Sequence, residues 1–470
     1  MARPRIAYIG LSLELYLSSR QEAKDGWHSA FAHWRNVLAS RFELACSAFC
    51  YTDSDMAAIA RRIEETDVEA VVISAVSYTG SLLSVPVLER LGRPVVIWST
   101  QDAETIRPDY APFDLTLNHT VQGIHDVGNL LWQRGVPFDI VTGHWQDEEA
   151  LARLEQAVAV ARAWKESKSI KVLSLGGQFV GMGDFAYDAQ NLREAWGPQV
   201  EELPVADFLA ATAAVPDAEV DKEEERDRER FAVQADLGRD TLRESIRRKL
   251  ALKSLLATHG ATAFTMNFTA LLARPGFGQL PFYAINCLMG EGMGYAGEGD
   301  ALRAAWMREL QLLCGPANFT EIYTVDFRAN RFFMTHMQEC SIAVARRDRR
   351  IVLKSMPFWA RGGVDYTGMF FTAEPGECTL ASITPDGHGG FRVIAFAGEI
   401  PDLPPYGTFN RAHWIFQCRG KAATLLDNYS LAGGPHHLAA VYGNRILQIQ
   451  ALARRHGFDF IDVTEDFRHG

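Results

Sequence analysis

Glu298 and Asp300 stand in the stretch GYAGEGD (294–300), two carboxylates among three glycines directly after an apolar run. Glu321 follows in NFTEIY, 23 residues past Glu298, and His336 in FMTHMQE lies 15 residues further on. Far downstream, LAGGPHH adds the pair His436–His437. Each of these residues falls at a boundary between elements. Two carboxylates plus imidazoles suit a hard-to-borderline divalent ion such as Mn²⁺, with coordination positions left open for exchangeable oxygens; the absence of cysteine from the set argues against structural zinc. Glycine gives up packing and ordering entropy, so three of them around an acid predict a close approach to that backbone. Spacing alone does not separate this set from the Glu and His residues scattered through any chain of enzyme size. His336 has a plainer reading as an edge-strand histidine in a hydrogen bond, and the His436–His437 pair has one as a helix cap.

The elements that must carry these residues change character along the chain. From 4 to about 168, short β-branched runs (RIAYIG, FELACSAF, VEAVVISAV, RPVVIWST, FDIVTG) alternate with longer amphipathic ones. Continuous apolar strands between helices predict a parallel sheet covered on both faces, a doubly wound Rossmann-like α/β domain over 1–168. A second α/β domain is expected over 169–315, opening with IKVLSLGGQFVGMGD. The glycines of that stretch match neither common phosphate-loop pattern and read as a close strand-to-helix turn. The run DKEEERDRER (221–230) mixes both signs at helical spacing and reads as a solvated face continuing into a helix that ends at Gly260. ATAFTMNF and LPFYAINCLM read as strands closing this section. After Gly315 the period changes to strands only, from FTEIYTVDF through SIAVARRD to FRVIAFAGEI, which predicts a C-terminal antiparallel β-rich, barrel-like domain over 316–470, closed by a helix, AAVYGNRILQIQALARRHG, and a last strand.

Composition bounds the function. The chain has 470 residues, a net charge of -11 and a pI near 5.7, which disfavours a nucleic-acid partner because phosphate binding needs an excess of Lys and Arg on some face. No stretch approaches 18 uninterrupted apolar residues and the N-terminus runs straight into a strand, so no membrane span is expected and the cytoplasm is the expected compartment. Seven cysteines without a CxxC pair fit free thiols better than a disulfide framework.

Several stretches together resemble the L-arabinose isomerase family: IVTGHWQDEEA at 140–150, GYAGEGD, NFTEIY, THMQECSIA and SLAGGPHH at 430–437. The resemblance spans essentially the whole chain and is densest over 261–345 and 430–440. It implies an aldose–ketose isomerase with Mn²⁺ held by Glu298, Glu321, His336 and His437, other divalent ions being alternatives. It also implies a homohexamer with each active site at a subunit junction. Such a reaction moves a hydrogen between C1 and C2 of an open-chain sugar through an enediolate, and the resemblance gives Glu298 and Glu321 the paired acid and base roles. Asp300 and His436 are expected substrate contacts, with Asp300 alternatively fixing a ligand's orientation.

Departures from the family pattern fall in the segments expected to line the sugar. LELYLSS places Glu14 where the family has part of a Gln-His pair and keeps Tyr16; NHTVQG places Gln122 at a histidine position; KSMPFWARGG brings in Phe358 and Trp359. Glu14, Tyr16 and Gln122 are therefore the remaining candidate substrate residues. A site built to hydrogen-bond particular hydroxyls rejects sugars that lack them, so the expected substrate is a pentose or a related, modified monosaccharide. Two other readings stand beside isomerisation: the same metal site used for epimerisation or elimination on a modified sugar or sugar acid, and a non-catalytic sugar-binding protein.

Overall fold

Apolar runs that are buried on both faces build the N-terminal unit. The computed structural model describes residues 3–358, 364–407 and 409–464, so Trp359 lies outside the described residues. Within them the chain forms two compact units, Met1–Lys165 and Glu166–Gly470. In the first, five parallel strands lie in the order Glu43–Cys50, Arg5–Leu11, Ala70–Ala75, Val95–Ser99, Phe138–Thr142. Every residue of Ala70–Ala75 and Val95–Ser99 is buried, as the continuous apolar runs require of a sheet covered by helices on both sides. The helix Asp53–Glu64 starts at a reciprocal cap in which Thr52 and Asp55 satisfy each other's backbone N–H groups.

In the second unit, four parallel strands lie in the order Gly294–Gly297, Ala263–Met266, Lys171–Leu175, Gln199–Leu203. Six further strands close on themselves as an antiparallel barrel in the order Gly376–Pro385, Leu438–Tyr442, Ala317–Asp326, Arg331–Thr335, Trp414–Cys418, Phe391–Ile400, the last pairing back to the first. Asp459–Asp462 adds to Phe391–Ile400 in parallel. Phe332, Met334, Leu380, Phe396 and Phe416 fill the barrel core. The α/β sheets followed by an antiparallel barrel are the fold class that the periodicity predicts.

Local expectations fail at identifiable places. Phe282–Gly290 is a helix, not a strand: every residue from Phe282 to Met289 is buried, so no polar face exists to reveal a 3.6-residue period. SIAVARRD contributes only the turn Ile342–Val344, and Leu438–Tyr442 is a barrel strand that takes up the start of the expected closing helix. The charge run is not simply a solvated face. Glu224 and Asp227 of the helix Asp217–Arg230 point inward, Glu224 meeting Arg228 at 2.8 Å and Arg239 at 3.2 Å, and Asp227 accepting from the Tyr283 hydroxyl. A short strand, Ala232–Val233, separates that helix from Arg239–Thr258. All seven cysteines are free. Among the described residues no helix is long and apolar enough to cross a membrane.

Candidate metal centre

Glu298 sits in the tight turn between the strand Gly294–Gly297 and the helix Ala301–Cys314, at a φ of 62° that non-glycine residues seldom adopt. The turn is over-determined. The Glu298 carbonyl accepts from Phe179 N at 3.1 Å, Gly299 N reaches Met266 O at 3.2 Å, and the Asp300 carboxylate caps the helix by accepting Arg303 N at 3.0 Å. Two of the glycines make room for the chain itself. A Cβ at Gly299 would lie 2.2 Å from Gly177 O, and one at Gly297 would lie 3.1 Å from His336 Cε1. The bodies in close approach are a second loop's backbone and the His336 ring.

Barrel register supplies the other three donors. Glu321 pairs across from Thr335, so His336 begins one residue beyond, while Thr320 pairs with Leu438, which His437 precedes. A one-residue slip in either pairing would turn Glu321 to the opposite face. Phe319, on the same face as Glu321 by the two-residue period, packs against both imidazoles at 4.7 Å from His336 and 4.8 Å from His437.

The four candidates approach one another through His437 and Glu321. His437 Nε2 lies 3.7 Å from Glu298 Oε2 and 3.4 Å from Glu321 Oε1; His336 Nε2 lies 3.4 Å from Glu321 Oε1. His436 points its Nε2 at the same carboxylates, 3.9 Å from Glu298 Oε2 and 3.6 Å from Glu321 Oε1. Glu321, His336 and His437 form one grouping able to hold a metal ion, and Glu298, His436 and His437 form another. The fit to a cation rests on His437: its ring is fully buried and its Nε2 has no hydrogen-bond partner, although both glutamates face it. A buried polar atom with no protein partner calls for one from outside the chain.

Each imidazole is held from behind by a carboxylate on Nδ1: Glu339 at 2.7 Å for His336, Asp300 at 2.8 Å for His437 and Asp184 at 2.5 Å for His436. Carboxylates in this position fix ring orientation and present Nε2 as the ligating atom. Asp300 is wholly buried and engaged with His437 and the helix cap, so its contacts are those of a ligand-orienting residue. Arg303, also buried, brings a guanidinium nitrogen to 3.6 Å from Asp300.

Charge follows geometry. Burial works against a charged His336, yet the Glu339 carboxylate and the hydrogen bond to Glu321 outweigh it and raise the ring to about 10. Burial is likewise overcome at His436, raised to about 9 by Asp184 and Glu298. Glu321 is held well below the usual carboxylate range, burial being outweighed by the His336 and His437 imidazoles beside it. An imidazole must be neutral to bind a metal. At pH 7 metal binding is therefore expected to expel the His336 proton, with affinity rising as pH climbs toward about 10. Calorimetry in buffers of different ionisation enthalpy measures that proton; equal heats in all of them would contradict it. The metal-free protein should show the complementary trend: the raised His336 contributes stability in full below the unfolded value of about 6.5 and loses it as pH climbs through about 10.

The N-terminal candidates are placed within their own unit. Glu14 and Tyr16 lie in the turn Glu14–Ser18, where Glu14 is exposed and Tyr16 stacks on Trp27 at 5.1 Å; Gln122 is exposed in the first turn of Val121–Gln133. Phe358 packs against Tyr366 at 6.2 Å. His144 bonds Asp102 O at 3.1 Å beside Trp145. Sequence reasoning missed Asp184, Phe185 and Phe319. Phe319 was within reach, two residues before Glu321 on one strand; Asp184 and Phe185 gave no signal beyond the neighbouring glycines.

Two family models match the second unit, the L-arabinose isomerase central domain over residues 187–315 and the L-arabinose isomerase C-terminal domain over 316–459. The chain is 26% identical over 460 residues to an L-arabinose isomerase of Yersinia pestis bv. Antiqua (strain Nepal516), spanning 95% of this chain and 91% of that one. It is 26% identical over 392 residues to an L-arabinose isomerase of Yersinia pseudotuberculosis serotype O:1b (strain IP 31758), spanning 81% and 77%. The matched domains cover more than half of the chain and contain Glu298, Glu321, His336 and His437. This chain belongs to the L-arabinose isomerase family.

Proposed function

We propose that the protein is a divalent-metal-dependent aldose–ketose isomerase acting on an open-chain pentose or a related monosaccharide. The observation that supports this most is the buried, unpartnered Nε2 of His437 facing two glutamates. Glu298, Glu321, His336 and His437 would hold the ion, Mn²⁺ by family analogy. When bound, it supplies Lewis-acid polarisation of the sugar's carbonyl and hydroxyl oxygens.

The chain's own residues do the rest. Glu298 Oε2 and Glu321 Oε1 lie 3.7 Å and 3.4 Å from His437 Nε2, so one carboxylate can take the proton from C2 of the aldose while the other returns one at C1, the hydroxyl proton passing from O2 to O1 and the sugar through an enediolate. Burial of His336 and His437 against Phe319 and Phe185 keeps water from the rear of the site. His436 is the imidazole with an open side and is assigned to a sugar hydroxyl. Asp300, Glu339 and Asp184 orient the three rings. Glu14, Tyr16 and Gln122 are assigned as sugar contacts at a junction between subunits of a cytoplasmic homohexamer.

Incubating the purified protein with Mn²⁺ and L-arabinose, D-galactose or L-fucose should yield the corresponding ketose from at least one of them, and nothing after metal removal. Stoichiometric metal without ketose from any aldose would favour epimerisation or elimination at the same centre. Absence of stoichiometric metal would favour a sugar binder.

A further inference from the structure

His336 and His437 cannot turn. Both are walled in by Phe319, and Phe185 lies flat on His437 at 5.2 Å with an interplanar angle of 0°. His436 is different: its side chain is 37% exposed, so beyond its contacts with the His437 ring at 4.2 Å and the Phe185 ring at 5.6 Å its orientation depends on the bonds it makes. Asp184 makes two of them through one oxygen. Its Oδ2 accepts the His436 backbone N–H at 3.1 Å and the ring Nδ1–H at 2.5 Å. A single acceptor shared by a residue's backbone and its ring fixes the side-chain torsions between them, which a bond to the ring alone would not.

Asp184 is held firmly enough to serve. It belongs to the glycine-rich stretch 176–188, which follows the strand Lys171–Leu175 and whose glycines predict a strand-to-helix turn. That stretch instead runs against the backbone of the metal centre. Phe179 N bonds Glu298 O at 3.1 Å, Gln178 O accepts Asn267 Nδ2 at 2.9 Å, and the Gly177 carbonyl occupies the space a Cβ at Gly299 would need. Phe185, the next residue after Asp184, is buried against His437. The position of Asp184 is therefore tied to the turn that carries Glu298.

We propose that Asp184 is a positioning residue that locks His436 with Nε2 facing the gap between Glu298 and Glu321, where it donates a hydrogen bond to a hydroxyl of the bound sugar. This rests on the isomerase reading and adds to it a polar contact delivered by the 176–188 stretch. Without Asp184 the half-exposed ring keeps only its packing on His437 and Phe185 and the longer approaches of Nε2 to the glutamates, and loses both short bonds that set its torsions. Groups that orient an imidazole at a metal centre typically account for about 10–100-fold in affinity or activity, the range expected here for kcat.

The test combines turnover with a direct view of the ring. With saturating Mn²⁺, Asp184→Ala should lower kcat about 10–100-fold while retaining stoichiometric metal. Asp184→Asn, whose amide oxygen still accepts both bonds, should recover most of that loss. The double variant Asp184→Ala/His436→Ala should be no slower than His436→Ala alone, because Asp184 acts through that ring. A crystal structure of Asp184→Ala should show the His436 ring turned away from Glu321; should that variant fail to fold, Asp184→Ser, too short to reach Nδ1, replaces it. Additive losses in the double variant, or an unmoved ring, would overturn the proposal. If the wild-type protein converts no aldose, the isomerase reading fails, while the ring position in the variant still decides whether Asp184 locks His436.

Discussion

Glu321→Gln is expected to lower kcat by about 10³-fold with Mn²⁺ saturating, within the 10²–10⁴ that a positioned acid or base contributes. Gln has the same shape and keeps an oxygen to face the ion, but cannot carry a proton to or from carbon. The side chain sits between His336 and His437, so its amide oxygen should remain directed at both rings. The measurement is steady-state kinetics beside metal content, together with incorporation of solvent deuterium at C1 and C2 of the sugar. A variant that keeps its metal and comes within tenfold of the wild-type kcat would remove Glu321 from the proton path.

Asp300 should show two separable losses. Asp300→Ala removes the cap of the helix Ala301–Cys314, at about 1 kcal/mol, and removes the group orienting His437, at about 10–100-fold in metal affinity. Asp300→Asn still caps, since Asn is among the preferred residues there, but loses the negative charge on Nδ1 of His437. Denaturant midpoints should therefore fall for both, because each removes the charge facing the buried Arg303, and further for Ala, which also loses the cap, while Mn²⁺ titrations should weaken for both. If Asn binds metal as tightly as the wild type, Asp300 serves the helix alone.

How far the sequence discloses this centre depends on the reach of each signal. The strands of the first unit announce themselves because a sheet buried on both faces leaves continuous apolar runs. The helix Phe282–Gly290 is buried on every side and so carries no period, leaving an apolar run of strand length. The residue types at 298, 321, 336 and 437 are visible as a set only through family resemblance, since barrel register brings Glu321, His336 and His437 together and Glu298 joins them from the turn after a strand of the parallel sheet, relations between segments that no single stretch displays. Glycines around Glu298 announce a close approach without saying by what; the visitor proves to be Gly177, from another loop. Asp184 is the extreme case, bonded to a histidine 252 residues away, and no local pattern marks it.

The donors come from two different layers of the second unit. Glu298 is carried at the end of the parallel sheet, whereas Glu321, His336 and His437 are carried by the closed barrel. A bound cation would rivet one layer to the other, so that neither could open without breaking a coordination bond. Metal occupancy would then merge the two into one cooperative unit of unfolding, and their slowest amide exchange rates would converge on a common value.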